Sequence, residues 1–582
     1  MGARLRMVGM TFWVAAVGLF VGTGQAAASD LHLDCSAATP GDGSAASPLN
    51  SLPAQFDLGP GDRLLLRRGS TCQGELRLRG GGTASQPASV GAYGTGNAPK
   101  VVGTGRDAVR LDDASHLRLE DLDISNPGSG ALGEGTEVRN GVMVTAQNEV
   151  EDVTLSGLAI HDVGGDLTKN GDGSAAIQAT VTGPVPARFD GLRVEGNRIT
   201  SVSRSGISIS GTNDPDRPTA DQPWPEASTG VVIEGNRIDL VAGDGIVPRG
   251  TDGALVEGNV VSRGNLAGRP LLDPAGPICN AGIWTFRANN TVIRGNEVFG
   301  MEQNGCDGTG FDVDYRQDGT VIEGNYSHDN EGGFVLLCTD EAVHRADVRF
   351  NLSVDDATMI NHGPCGIEDG IGGDLSGIRM FNNTVVGDSP TASIQLAPLD
   401  SMYQPGSFEF VNNLVYARQA HDAVPCGDHC SHNAFFNLPV GGTDGLGLDP
   451  LLAGPLIAGS GMGAAQGFRP VAGSPLRGAG LAVPGSGATD FFGDPIPAVP
   501  AIGFDQRLLA DPDPGPDRAC RAARAARQRA VKKKARLGRS LKKLRRTRAA
   551  RPRIKAAARR HRRATRAVRR ATRVVRRTCA DR

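Results

Sequence analysis

Two aspartates stand two residues apart in the run GFDVDY, residues 310–315. In an extended strand, successive side chains point to opposite faces. Phe311, Val313 and Tyr315 then share one face, and Asp312 and Asp314 share the other. The apolar set belongs in a core, so the two carboxylates stand on an outer face, about 6–7 Å apart by strand rise. Paired carboxylates act as acid and base, or acid and nucleophile, on a glycosidic bond. This spacing falls between the separations of retaining and inverting sites. The rival chemistry is elimination, in which a base takes the proton beside a uronate carboxylate that a cation or arginine neutralises. For that reaction Arg249 or Arg316 would be the charge stabiliser, and His328 or His362 the base.

Such residues need a scaffold that sets them side by side, and an internal repeat supplies one. LRVEGNRI (192–199), VVIEGNRI (231–238), ALVEGNVV (254–261), TVIRGNEV (291–298), TVIEGNYS (320–327), DVRFNLSV (347–354), IRMFNNTV (378–385) and FEFVNNLV (408–415) share one pattern, and LRLEDLDI (117–124) and VTLSGLAI (153–160) precede them. A fixed slot holds Leu122 and Leu158, then Asn197, Asn236, Asn259, Asn296, Asn325, Asn351, Asn383 and Asn413, at intervals of 23 to 39 residues. Asn tolerates left-handed backbone and can bond its own turn. Stacked parallel coils place one side chain above its counterpart at about 4.8 Å, so each amide can bond the amides above and below. One coil cannot bury its apolar residues, but a stack can. The longer intervals read as loops inserted into a coil.

Aligning coils glycine on glycine gives the site its neighbours. GIWTFR (282–287) sets Trp284 beside Asp312 and Phe286 beside Asp314. GIVPRG (245–250) adds Val247 and Arg249 to those columns, GFVLLC (333–338) adds Val335 and Leu337, and TMINHG (358–363) adds Ile360 and His362. Rings beside carboxylates and a cation suit a sugar, because a ring stacks on its C–H face. The expected catalytic set is Asp312, Asp314, His328 and Arg249, with Trp284, Phe286, Glu331 and His362 contacting substrate. Asp329 and Asp355 each lie four residues past a slot Asn. If both point outward they stack, and calcium would suit such an oxygen cluster. The plainer alternative for the acids is that they cap and solvate turns.

The repeats resemble the right-handed parallel β-helix superfamily of pectate lyases and related polysaccharide enzymes, over roughly 60–505. GDRLLLRRGSTCQGELRLRG (61–80) is similar to the opening coils of such proteins, and LDPLLAG (448–454) with DFFGDPIPAVPAIGFDQ (490–506) to their closing segment. The stretch GFDVDY…YSHDNEGGF is similar to secreted bacterial β-helix repeat proteins. The resemblance implies an all-β, right-handed parallel β-helix of about ten or more coils and a polysaccharide as substrate or ligand. It does not fix the chemistry, since the WIDH, RxPxxR, DPHD and NTD motifs of individual enzyme families are missing. Two functions remain open: a lyase or hydrolase, and a non-catalytic glycan-binding or surface scaffold.

The bulk numbers agree. The chain has 582 residues with 81 Gly and 26 aromatic residues, which suits a stack of short strands with many tight turns and suits a helical bundle poorly. Residues 1–28 read as a secretory signal peptide: Arg4 and Arg6, an apolar run from Met7 to about Val21, then Ala26–Ala28. Export makes disulfides the expectation for the ten Cys. Cys35 and Cys72 flank the N-terminal segment. Cys279 with Cys306, and Cys338 with Cys365, are each spaced 27 residues apart, near one coil. Cys426 and Cys430 can close a small loop, with a metal site including His429 and His432 as the rival. The β-helix domain is expected over 29–510, followed by a Pro-rich linker, 511–517.

Residues 518–582 hold 29 Lys+Arg and one acid, leaving the rest of the chain at about −30 and the tail at +28. Ala and Arg favour helix. Cys520 and Cys579 are centred near Arg551–Pro552, so a disulfide-clamped basic α-helical hairpin is expected. Such a tail binds polyanions with salt-sensitive affinity. For an exported protein these are anionic cell-envelope polymers or lipid headgroups, with nucleic acid second.

Overall fold

The computed structural model describes residues 28–507, apart from 169–172, 185, 213–225, 269–277, 305, 315, 338–342, 362–374, 389–407 and 425–426, and scattered residues from 527 to 572. Each coil contributes a short strand to each of three parallel sheets. Among the described residues these hold 14, 13 and 11 strands, here called the first, second and third sheets. In the coil after GFDVDY they are Val321–Glu323, Tyr326–His328 and Gly333–Leu337.

Apolar side chains stack coil on coil into one continuous interior that includes Ile233, Val256, Ile293, Ile322 and Val348. The alternation of the first-sheet strands is visible in Leu117–Glu120, buried and exposed in turn. Period-two patterning therefore fixes register as well as strand identity.

The slot is a buried ladder. The side-chain amide of Asn296 donates to Val256 O at 2.9 Å and Asn325 Oδ1 at 3.0 Å, and its own Oδ1 accepts from Asn259 N and Nδ2 at 2.8 and 3.0 Å. The same pattern runs from Asn197 to Asn413 and one step further, to Asn433, 20 residues on. The left-handed backbone belongs to the preceding residue: Gly196, Gly235, Gly258, Gly295 and Gly324 at φ near 63°, then Phe350, Asn382, Asn412 and His432. In the EGN repeat, glycine makes the turn and Asn makes the ladder, a division of labour that corrects the assignment of both tasks to Asn.

The closing segment, 448–507, folds back over the solenoid. Ala465, Phe468 and Phe504 pack on Tyr326, Leu352, Val354 and Val386, which face outward from the second sheet. Asn382 Nδ2 donates to Ala501 O and Gly503 O, and Asn412 Nδ2 to Leu481 O. Arg469 forks onto Asp505 and lies over the Phe492 ring.

Cys35–Cys72 and Cys279–Cys306 are disulfides, and Cys430 is disulfide-bonded. Cys338, Cys365, Cys426, Cys520 and Cys579 lie outside the described residues. In the tail, 530–535 and 537–542 are helical. Arg527 Nε donates to Thr572 Oγ1 at 3.2 Å, and Gly538 faces His561. Both pairs are centred between residues 549 and 550, as an antiparallel hairpin requires. Among the described residues no helix is long and apolar enough to cross a membrane.

Candidate functional site

Strand Thr309–Val313 sits in the third sheet between Ile283–Thr285 and Gly333–Leu337. Phe311 and Val313 belong to the solenoid core, so the expected parity holds and Asp312 faces outward. Trp284 is paired with Asp312, and Phe286 with Arg249. Val247, Ala281 and Trp284, with Phe286 packed against them, form an apolar cluster distinct from the core, on the outer face of this sheet. The Trp284 and Phe286 rings lie 6.1 Å apart, tilted by 44°. The Cys279–Cys306 disulfide, Cα atoms 4.9 Å apart, pins together the two coils that carry Trp284 and Asp312.

The two carboxylates occupy unlike surroundings. Asp312 is only 5% exposed, between Trp284 and Leu336, whereas Asp314 is half-buried at the strand end. Gln317, fully buried, fixes that end: its Nε2 donates to Thr285 O at 2.6 Å and to Asp314 O, and Thr320 Oγ1 donates to its Oε1 at 2.6 Å. The sequence reading missed Gln317. A glutamine between a charged strand end and the next repeat carries no pattern of its own.

Other expected members are elsewhere. The column beside Asp312 continues to Leu336 and then Asn361, not to Val335 and Ile360. Aligning glycines slipped the register by one, because Gly310 pairs with the Phe334 position and Gly333 with Thr309. Phe334 fills interior space that the previous coil leaves to glycine, edge-on to Phe311 at 6.2 Å between centroids. His362 lies outside the described residues. Arg249 donates to Ser210 Oγ at 2.6 Å, toward the N-terminal coils. Glu331 is in the turn before the third sheet, where Gln303 N donates to its Oε2.

His328 is a correction. It belongs to the second sheet, is 2% exposed, and is stacked between Phe299 and Tyr326 at 4.6 and 4.4 Å. Its Nε2 lies 3.1 Å from Glu297 Oε1, which also accepts from Gly461 N at 2.5 Å, and Tyr326 OH accepts from Gly459 N. The closing segment covers it, so it does not reach substrate on the third sheet. Burial lowers its pKa, but hydrogen bonds to Asp329 and Glu297 outweigh burial and hold it above the usual value. Asp329 and Asp355 both adopt left-handed backbone. The Asp355 carboxylate is paired with Arg418.

Beside this pair, Asp356 is wholly inside. Ser353 Oγ donates to it at 2.8 Å and Asn330 N at 3.0 Å. Burial pushes its carboxyl up to about 6, against the hydrogen bonds that pull it down. A raised folded-state pKa means that the native chain keeps a proton that the unfolded chain has lost between about pH 4 and 6. This contribution to stability is complete below that window and is lost as pH rises through it. Relative to Asp356→Asn, the wild type is therefore expected to lose stability from pH 4 to 6 in urea unfolding. A difference that stays constant with pH would rule this out.

These features define the class: the chain is a right-handed parallel β-helix protein with an outward acid pair on its third sheet. Residues 187–385 match the family model described as the right-handed beta helix region. The lacto-N-biosidase of family GH136 from Eubacterium ramulus is similar in structure, at 28% identity and a TM-score of 0.54, over 62% of this chain and 64% of that one. The match thus spans somewhat less than two thirds of that protein. Its selenomethionine form aligns at 25% identity and a TM-score of 0.53, over 67% and 68%. Pectate lyase Pel9A aligns at 12% identity and a TM-score of 0.33, over 83% and 98%. No curated protein matches the chain.

Proposed function

We propose that this chain is an exported carbohydrate-active enzyme that hydrolyses a glycosidic bond on the outer face of the third sheet. The observation that carries the reading is the pair Asp312 and Asp314, one enclosed against Trp284 and the other half-buried at the strand end. Two carboxyl groups in unlike environments divide the work of proton donor and of nucleophile or base. The half-buried Phe286, backed by the buried Trp284, gives the sugar ring an apolar platform, and Arg249 a hydrogen-bonding edge. The similarity to a GH136 lacto-N-biosidase supports hydrolysis over elimination. So does the position of His328, which removes one of the two bases that elimination would use. The strongly acidic body favours a neutral glycan over a polyanionic one. Two disulfides agree with export, and the basic tail would hold the enzyme near anionic envelope polymers.

The test is a panel of neutral and acidic oligosaccharides, including lacto-N-biose-terminated chains, read for new reducing ends and for the ultraviolet absorbance of unsaturated uronates. Reducing ends without that absorbance support hydrolysis. Absorbance would replace it with elimination, and glycan binding with no product would leave a scaffold. With a substrate in hand, Phe286→Ala is expected to raise KM about tenfold, roughly 1.4 kcal/mol, with kcat little changed. A fall in kcat alone would move Phe286 out of the binding platform.

A further inference from the structure

The outer face of the first sheet carries an apolar lane between two acidic rows. Val232, Leu255, Val292 and Val321 are in direct register on consecutive coils, and each is half-buried. Three coil spacings make the lane about 14 Å long. On one side run Glu195, Glu234, Glu257, Arg294 and Glu323, paired in that order. On the other run Asp190, Thr229, Asp252, Asn289 and Asp318, in the register set by the bridges at this edge. Arginines take four of these seven acids: Arg193 on Glu195, Arg294 on Glu257, Arg345 on Asp318 and Arg349 on Glu323. Asp190, Glu234 and Asp252 have no ion pair among the described residues; Glu234 flanks Val232, Asp252 flanks Leu255, and Asp190 lies one coil before them, level with Arg193.

An apolar lane edged with carboxylates that no cation contacts directly fits a basic helix with a thin aliphatic stripe. The chain carries one. Residues 530–535 and 537–542 are helical, and Leu541 is buried while Val531 is 41% exposed. Val531 and the exposed Ala535 are one turn apart on one face, and Lys532, Lys533 and Lys542 are exposed around them. About nine helical residues span 14 Å. The charges are also matched in scale, about −30 on the body and +28 on the tail.

We infer that, when no external polyanion is bound, the basic C-terminal segment docks along this lane of its own solenoid, with Val531 and Ala535 against Val232 and Leu255 and the lysines against Glu234, Asp252 and Asp190. The site is remote from Asp312 in the fold, on a different sheet, and does not depend on the proposed enzymatic function.

The experiment is zero-length carbodiimide cross-linking of the full-length protein at low salt, with the linked peptides mapped by mass spectrometry. Links from Lys532 or Lys533 to Glu234 or Asp252 are expected. They should fall at least fivefold in Leu255→Lys and in 0.5 M NaCl, and the links to Asp252 should fall likewise in Glu234→Gln, with far-ultraviolet circular dichroism unchanged. Links that form only between two chains would assign the lane to a second copy's tail. Links spread evenly over body carboxylates, or unchanged in both variants, would leave the tail with external polyanions only. Each of those results overturns the proposal.

Discussion

Replacing Asp312 or Asp314 with asparagine is expected to lower kcat at least a thousandfold, about 4 kcal/mol of transition-state stabilisation, while KM changes little. Asparagine keeps the shape of aspartate and removes its proton-transfer and nucleophilic capacity. The scaffold should tolerate either change. Both side chains leave the solenoid on its outer face, and the hydrophobic interior at this level belongs to Phe311 and Val313. The double variant should be no worse than the more damaged single one, because two groups acting in one reaction are not additive. Turnover within tenfold of wild type in both single variants would show that the chemistry lies elsewhere on the surface.

The second large effect is on stability. Asn296→Leu is expected to cost about 4 kcal/mol, because several buried groups lose partners at about 1–3 kcal/mol each. Asn259 N and Nδ2 lose an acceptor, Val256 O loses a donor, and Asn325 Oδ1 loses one of its two. Leucine itself fits the column, as Leu122 and Leu158 show, both buried at the slot. Asn197→Leu should cost about 1 kcal/mol less, since the coil above presents only Leu158 N and Leu155 O to Asn197 and no second amide. Urea midpoints compare the pair directly. Equal losses at both positions would mean that volume governs the slot, and the ladder does not.

The difference between the ladder and the site explains what could be read from the sequence. The ladder repeats every coil, so a spacing of 23 to 39 residues still aligns eight asparagines, from Asn197 to Asn413. Strand parity is equally local, and it placed Asp312 outside and beside Trp284. Register one coil beyond Asp312 was not local: Gly332 and Gly333 offered two alignments, and a phenylalanine filling the interior selected the other one. His328 was misplaced for a third reason. Chain proximity to Asp312 suggested spatial proximity, but a coil turns a corner between its second and third sheets. The cover over His328 comes from Gly459 and Gly461, more than 130 residues later, and no short-range pattern announces it.

The closing segment also distinguishes two kinds of coil. Upstream of residue 297 the second sheet faces outward with Arg198, Arg237 and Asp239, and the contacts of a coil there are mostly with the coils on either side, with a few longer ties such as Gly133 N to Ser203 Oγ. From Glu297 onward each coil also meets a fixed point on the returning chain, in the order Glu297, Tyr326, Asn382 and Asn412. Duplicating or deleting one whole repeat would preserve the amide stack in either half. In the upstream half only a few such longer ties would be lost, but in the downstream half every later attachment would miss its mate by one step. A change of height is therefore less costly on the N-terminal side, while the C-terminal half is cut to a measured length.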